Sequence, residues 1–279
     1  MHRDKPAGKN AIGVPMTERD HLVRAVIAEP DADAPREAFA AWSVAHGDVQ
    51  GELARIQLAE ARERRVGTTV EASRLHSEAY DLMTQHKATW AHHILTIASQ
   101  PQFFRGFVEV ATIDVPTFLA RAQDLYTLAP IRGVTFVDAG PRIDALAASP
   151  QLSRLARIKF YNRSDAAPLA DTGLRTLLAS PHLGKLAILQ LGWNEITAEG
   201  VEALAASRLG HQLRYVTLGN NPTEDPSEQF GIDAITLEIN RNGISLPPLG
   251  QALEAKHGEL PWLHAPSLFR MFPPDLHDV

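Results

Sequence analysis

The chain has 279 residues, 44% of them hydrophobic and 22% charged, with a formal net charge of −6 and no cysteine. That length leaves room for one or two packed domains, and the absence of cysteine excludes a disulfide scaffold and all thiolate chemistry. The acidic balance speaks against a reader of nucleic acid, which needs a basic surplus. No apolar run reaches the roughly 18 residues of a membrane span, and MHRDKPAGKN lacks the apolar centre of an export signal, so the expectation is a cytoplasmic protein with no membrane contact.

Residues 1 to 16 carry Pro, Gly, Lys and Asn without periodicity and read as a flexible tail. Thr17, with Asp20 three residues on, is an N-cap signal. Leu22, Val23, Val26 and Ile27 follow at helical spacing, which predicts a helix over 18–28. Asp33 and Pro35 open a second helix over 34–46, with Phe39, Ala40 and Trp42 on one side and Gly47 as its stop. A third helix over 49–65 buries Leu53, Ile56 and Leu58, and a fourth over 69–86 offers Leu75, Tyr80, Leu82 and Met83. Residues 17–102 are therefore expected to form an α-helical domain. Asp31-Ala32-Asp33-Ala34-Pro35-Arg36, Phe39-Ala40-Ala41-Trp42, His46-Gly47-Asp48 and Gly51-Glu52-Leu53 together resemble the bacterial repeat-companion domain, a module found ahead of leucine-rich or other repeats. The resemblance covers about residues 18–58. It departs at Ala41, where the family usually has Asp, and at Gln50, which replaces a frequent Arg.

The texture changes near residue 103. Phe107, Val108, Val110 and Ile113 are strand formers, Pro116 to Tyr126 reads as a helix, and Val134 to Val137 as a second strand. Then the sequence repeats itself. Ser149-Pro150-Gln151-Leu152-Ser153-Arg154-Leu155 returns as Ser180-Pro181-His182-Leu183-Gly184-Lys185-Leu186, and more weakly as Ser207 to Leu213. Each copy leads into L-x-x-L-x-L-x-x-N: Leu186, Leu189, Leu191 and Asn194 in full, and Leu213, Val216, Leu218 and Asn221 with one Val for Leu. Ile232, Ile235, Leu237 and Asn240 fit with aliphatic substitutes. Ile131, Val134 and Phe136 fit with Ala139 at the Asn position, and Leu155, Ile158 and Phe160 fit with Arg163 there.

On these residues the chain resembles a leucine-rich-repeat protein of the helix-bearing kind over roughly residues 107–240. The fold class that follows is α/β: a short irregular solenoid over 103–243, with a parallel sheet on its concave face and helices on its convex face. Stacked copies align Val134/Phe136, Ile158/Phe160, Leu189/Leu191, Val216/Leu218 and Ile235/Leu237 into two buried rows. Asn194, Asn221 and Asn240 stand at the bends, where their amides can satisfy unpaired backbone groups. Spacings of about 24, 31, 27 and 19 residues make the array uneven, and the longest unit accommodates Ser164 to Asp171. The raw ends need covers. The helical domain is placed to supply one. A C-terminal cap over 244–279 supplies the other, with Asn242-Gly243 as a turn, a helix over 249–257 stopped by Gly258, and Trp262, Leu263, Phe269 and Phe272 packing behind it.

Chemical motifs are scarce. His92-His93 puts two rings about 100° apart on a helix, a poor chelate, and no H-E-x-x-H, P-loop, G-x-S-x-G or G-x-G-x-x-G occurs. No catalytic, cofactor-binding or metal-binding residue is assigned. The clue to function is the open side of the sheet, which would display Arg157, Lys159 and Tyr161 from one strand, Gln190 from the next, Tyr215 and Thr217, and then Glu238, with Trp193 on the adjoining rim. Tyr161, Tyr215 and Trp193 are the aromatic anchors and Arg157 their cationic companion, residue types that dominate interface energies. The expected function is a non-enzymatic protein-protein interaction module that binds a protein or peptide on this face. Two alternatives are an enzyme or accessory subunit with a site near Glu78, Asp81, His86, His92 and His93, and a structural assembly component.

Overall fold

Thr17 opens the first helix through a reciprocal capping box. Its hydroxyl accepts from the Asp20 backbone N–H, and the Asp20 carboxylate accepts from the Thr17 N–H. The computed structural model describes residues 16–163, 166–219, 238–240, 243–245 and 248–264. Four helices follow one another, α1 (Glu18–Ala28), α2 (Ala34–Ala45), α3 (Val49–Val66) and α4 (Thr69–Trp90). All four start where the sequence predicts. The fourth runs past His86 to Trp90 and leaves Tyr80 60% exposed, so that ring is not part of the core. Asp33 holds the N-cap position of α2 but not the capping bond, because its carboxylate binds Arg105 at 2.6 Å and Arg65 at 3.4 Å.

The chain divides into two compact units. The first takes the residues up to His93 together with Gln102–Glu109 and Tyr126–Pro130. This differs from a clean break after residue 102, and the reason lies in a hairpin turn. Strands β1 (Ser99–Phe104) and β2 (Phe107–Asp114) are joined by Arg105 and Gly106, with φ of 48° and 87°, the two positive values of a tight hairpin turn. Helix α3 grips that turn. Gln57 accepts from the Gly106 N–H at 2.7 Å and donates to Phe103 O, and Gln50 donates to Gly106 O. A Cβ on Gly106 would lie 2.4 Å from Ala54 Cβ, so glycine is required by both backbone and space. Beside it, Arg36 and Glu109 form a wholly buried ion pair at 2.8 Å, which Arg105 extends to Asp33. Asp33 and Arg36 of the D-x-D-A-P-R string are thus structural. Burial opposes ionisation of Asp33, but the hydrogen bonds and charges of Arg105 and Arg65 outweigh it and hold its carboxyl below the ordinary range. Phe39 and Phe107, with ring centroids 4.8 Å apart, centre the apolar core around Val26, Ala40 and Ala54.

The second unit takes Ile94–Pro101, Val110–Leu125 and the residues from Ile131 on. Strands β3 (Gly133–Val137), β4 (Arg157–Tyr161), β5 (Ile188–Gln190) and β6 (Tyr215–Thr217) continue the sheet in the order β1-β2-β3-β4-β5-β6, with β2 to β6 all parallel. The two anticipated rows are in register and buried: Val134, Ile158, Leu189 and Val216 align, Phe136 pairs with Phe160, and Leu191 and Leu218 follow them. Helices α5 (Val115–Leu128), α6 (Ile143–Ala147), α7 (Ala170–Leu178) and α8 (Ala198–Ala205) separate the strands. Phe118 of α5 meets Phe136 edge to face, and α6, α7 and α8 pack in sequence.

The strand starts repeat one hydrogen-bond device. Arg132 O accepts from the N–H groups of Ala156 and Arg157, Ala156 O from Ala187 and Ile188, and Ala187 O from Arg214 and Tyr215. Ahead of β4 and β5 the S-P-x-L-x-x-L turn buries its leucines, Leu152 and Leu155 in one copy and Leu183 and Leu186 in the next. Ser180 Oγ donates to Ala147 O at 2.6 Å, which ties the second turn to the unit before it.

The last expected repeat strand differs. Glu238–Asn240 is strand β7, but it pairs antiparallel with β8 (Gly243–Ser245) in a two-stranded sheet of its own. The Asn242-Gly243 signal in the sequence prevails over the repeat pattern, and the strand nearest in sequence is the pairing partner. Helix α9 (Pro248–His257) and Pro261–His264 follow, with Trp262 and Leu263 fully buried and their turn in contact with β6. Residues 1–15 of the expected tail over 1–16, and Asn221, Ile232, Ile235, Leu237, Phe269 and Phe272, lie outside the described residues. Among the described residues no helix is long and apolar enough to cross a membrane.

Candidate functional site

The side chains between the buried rows face the other side of the sheet, and their middle row is polar throughout. Thr112, Thr135, Lys159, Gln190 and Thr217 lie side by side across β2 to β6. At the far end of this row, where the strands give way to loops, opens a cleft of about 790 Å³, within the range of ligand pockets. Lys159, Gln190 and Thr217 line it, Tyr161 and Trp193 stand at its edge, and Asn162, Arg163, Ala166, Pro168 and Glu195 come from the loops.

Five of the eight anticipated residues therefore converge: Lys159, Tyr161, Gln190, Trp193 and Thr217. Three do not. Arg157 and Tyr215 point to the expected side but are each only 4% exposed. They belong to the first row, at the starts of their strands, where Gly133, Arg157, Ile188 and Tyr215 lie in register. A Cβ on Gly133 would meet Arg157 Cβ at 3.3 Å, so the arginine stem lies over the surface that glycine leaves open. Its guanidinium donates twice to Gln190 Oε1, at 3.1 and 2.9 Å, and serves the sheet rather than a visitor. Glu238 belongs to the separate hairpin, not to this face.

Trp193 is the least expected feature. Its side chain is 70% exposed while its backbone adopts φ 63°, a left-handed conformation that is an outlier for so bulky a residue. Both of its peptide groups are held: the N–H donates to Gly219 O at 3.2 Å, and the carbonyl accepts from Asn162 Nδ2 at 3.2 Å. Asn194, next in the chain, is wholly buried. Its Nδ2 donates to Gly192 O at 2.8 Å and Phe160 O at 3.4 Å, and its Oδ1 accepts from Asn162 Nδ2 at 2.7 Å. The anticipated role of this amide inside the bend is what the bonds describe. Glu195, at φ 55°, adds a second left-handed residue to the same rim.

The far wall is braced by Asp138, which accepts from the Arg163 backbone N–H at 2.9 Å and pairs with its guanidinium. The backbone bond, reinforced by the side-chain bond and the positive charge, holds the Asp138 carboxyl below its usual range. Asn162, Arg163 and Glu195 are the cleft residues that pattern reading missed. Only the length of the unit that carries Asn162 and Arg163 hints at a structure there, and nothing in the pattern points to Glu195. Elsewhere, the His92 and His93 rings meet edge to face at 5.2 Å, Glu78 pairs with Arg74, and His86 lies against Trp90. No cluster of three or more His, Cys, Asp or Glu that could hold a metal occurs among the described residues. Comparison with family models, with curated proteins and with solved structures finds no match to this chain.

Proposed function

We propose that this protein is a cytoplasmic leucine-rich-repeat solenoid carrying a helical domain of the repeat-companion type, and that it works as a non-enzymatic interaction module docking a protein or peptide in the cleft beside Trp193. The solenoid reading draws its support from the strand starts that share one bonding scheme, the buried leucine turns before them and the buried Asn194 at a bend. The binding reading rests chiefly on one observation, an indole 70% exposed on a backbone held at positive φ. Such a residue costs about 1–3 kcal/mol, and costs of this kind gather at ligand clamps. The buried part of the ring offsets that cost in part, and the exposed part contributes nothing without a partner. Against a partner it would be a hot-spot anchor, with Tyr161, 52% exposed, across the cleft. Tyr161 ends strand β4 and the loop that carries Trp193 is bonded at both peptide groups of that residue, so a partner need order neither, which limits the entropic cost of association.

The test is affinity capture with the full chain against a Tyr161→Ala/Trp193→Ala variant whose unfolding curve shows it folded. Partners bound by the wild type and lost by the variant are the expected result. An identical set of partners on both would overturn the assignment.

A further inference from the structure

The floor of the cleft has a chemistry of its own, and the inference drawn from it rests on the docking reading above. Three floor residues carry donors. Lys159, itself half-buried, brings an ammonium with no acidic partner among the described residues. Gln190 spends its Oε1 on the two Arg157 bonds, which leaves its Nε2 protons as the hydrogen-bonding capacity it offers the cleft. Thr217, next to it in register, adds a hydroxyl. Among the described residues no carboxylate belongs to this floor, and the acidic residue of the described lining, Glu195, stands with Trp193 on the rim.

Convergent donors around one unpaired cation fit an anion, and the count of charges selects which. A phosphate group carries nearly two negative charges and is held best by arginine forks. Both forks nearby are engaged, Arg157 by Gln190 and Arg163 by Asp138. A single carboxylate matches a single ammonium. We infer that the floor of the cleft holds one Asp or Glu side chain of a linear peptide, bonded by Lys159, Gln190 and Thr217, while a large apolar side chain beside it lies against Tyr161 and Trp193. Glu195 on the rim repels a second acid, so the site reads one acidic residue next to an apolar one, not an acidic run.

The experiment is selection from a displayed library of random linear peptides on the full chain, on Trp193→Ala, on Lys159→Gln and on Lys159→Glu, each checked for folding by its urea midpoint. The expected result is a family of peptides, lost with Trp193→Ala, in which Asp or Glu neighbours a large apolar residue. Changing that acid to its amide, or Lys159 to Gln, weakens binding about tenfold. Selection on Lys159→Glu moves the preference at the same position to Lys or Arg. Peptides that depend on Trp193 but show no acid preference, or one that Lys159→Glu leaves unchanged, would overturn this inference while the docking reading stands. No Trp193-dependent peptide from any selection would overturn both. A synthetic peptide with phosphoserine in place of the acid, if it binds tenfold tighter or more, would overturn the choice of carboxylate.

Discussion

Trp193 provides a test in which glycine should stabilise relative to alanine, against the usual order. Both Trp193→Ala and Trp193→Gly remove the indole, so their difference isolates the backbone. Alanine keeps a Cβ at φ 63° and with it a cost of about 1–2 kcal/mol. Glycine relieves that cost but loses about 0.5–1 kcal/mol through the greater freedom of its unfolded chain. The glycine variant should therefore be the more stable by about 0.5–1 kcal/mol. In urea unfolding, with a slope of about 2–3 kcal/mol per molar, this is a midpoint higher by about 0.3 M. The indole itself is 70% exposed, so its removal forfeits only about 60 Å² of buried area, or about 1.5 kcal/mol. Trp193→Gly thus stays within about 1 kcal/mol of wild type while losing the partner. An alanine variant as stable as the glycine variant would refute the view that this backbone is held against its preference in order to present the ring.

Three further outcomes follow from the bonding. Arg36→Met strands the buried Glu109 carboxylate with Arg105 as its remaining guanidinium and should cost about 3 kcal/mol in urea unfolding, part of which Arg36→Met/Glu109→Leu recovers. Asn194→Ala leaves the Gly192 and Phe160 carbonyls without this donor and removes one of the two acceptors of the Asn162 amide, a loss of about 2–3 kcal/mol by the same measurement, and loosens the loop that presents Trp193. Asp138 has its folded pKa depressed, so the stability it contributes is present above its unfolded value, about 4, and is lost as pH falls through the lower folded value. The gap in urea midpoint between wild type and Asp138→Leu should accordingly be constant from neutral pH to about 4 and close below it.

What the sequence made legible was whatever depends on period and local chemistry. Thr17 and Asp20 bond within one turn, and the rows Val134/Ile158/Leu189/Val216 follow from strand alternation and the repeat, so both could be read in one dimension. Alternation gives the side of a sheet, however, and not the depth. That is why Arg157 and Tyr215 were placed on the correct face yet are buried there. Glu238 failed for a different reason: two local signals competed, and the hairpin prevailed over the repeat. The Arg36–Glu109–Arg105–Asp33 cluster joins residues some seventy positions apart, and no spacing rule reaches that far. Asn162 was invisible because its role is set by Asn194 on the following repeat, not by anything beside it in sequence.

The shared bonding at the strand starts frees the length of each unit from the register of the sheet. Whether the chain takes about 24, 31 or 27 residues to come round, it returns to the same carbonyl geometry, and the surplus is discharged into a loop. In the longest unit that surplus is what raises Arg163, Ala166 and Pro168 into a wall beside the floor. Floor and wall are then separable parts: trimming the loop would abolish the recess and leave the lattice beneath it untouched, and a different loop would give the same lattice a different selectivity.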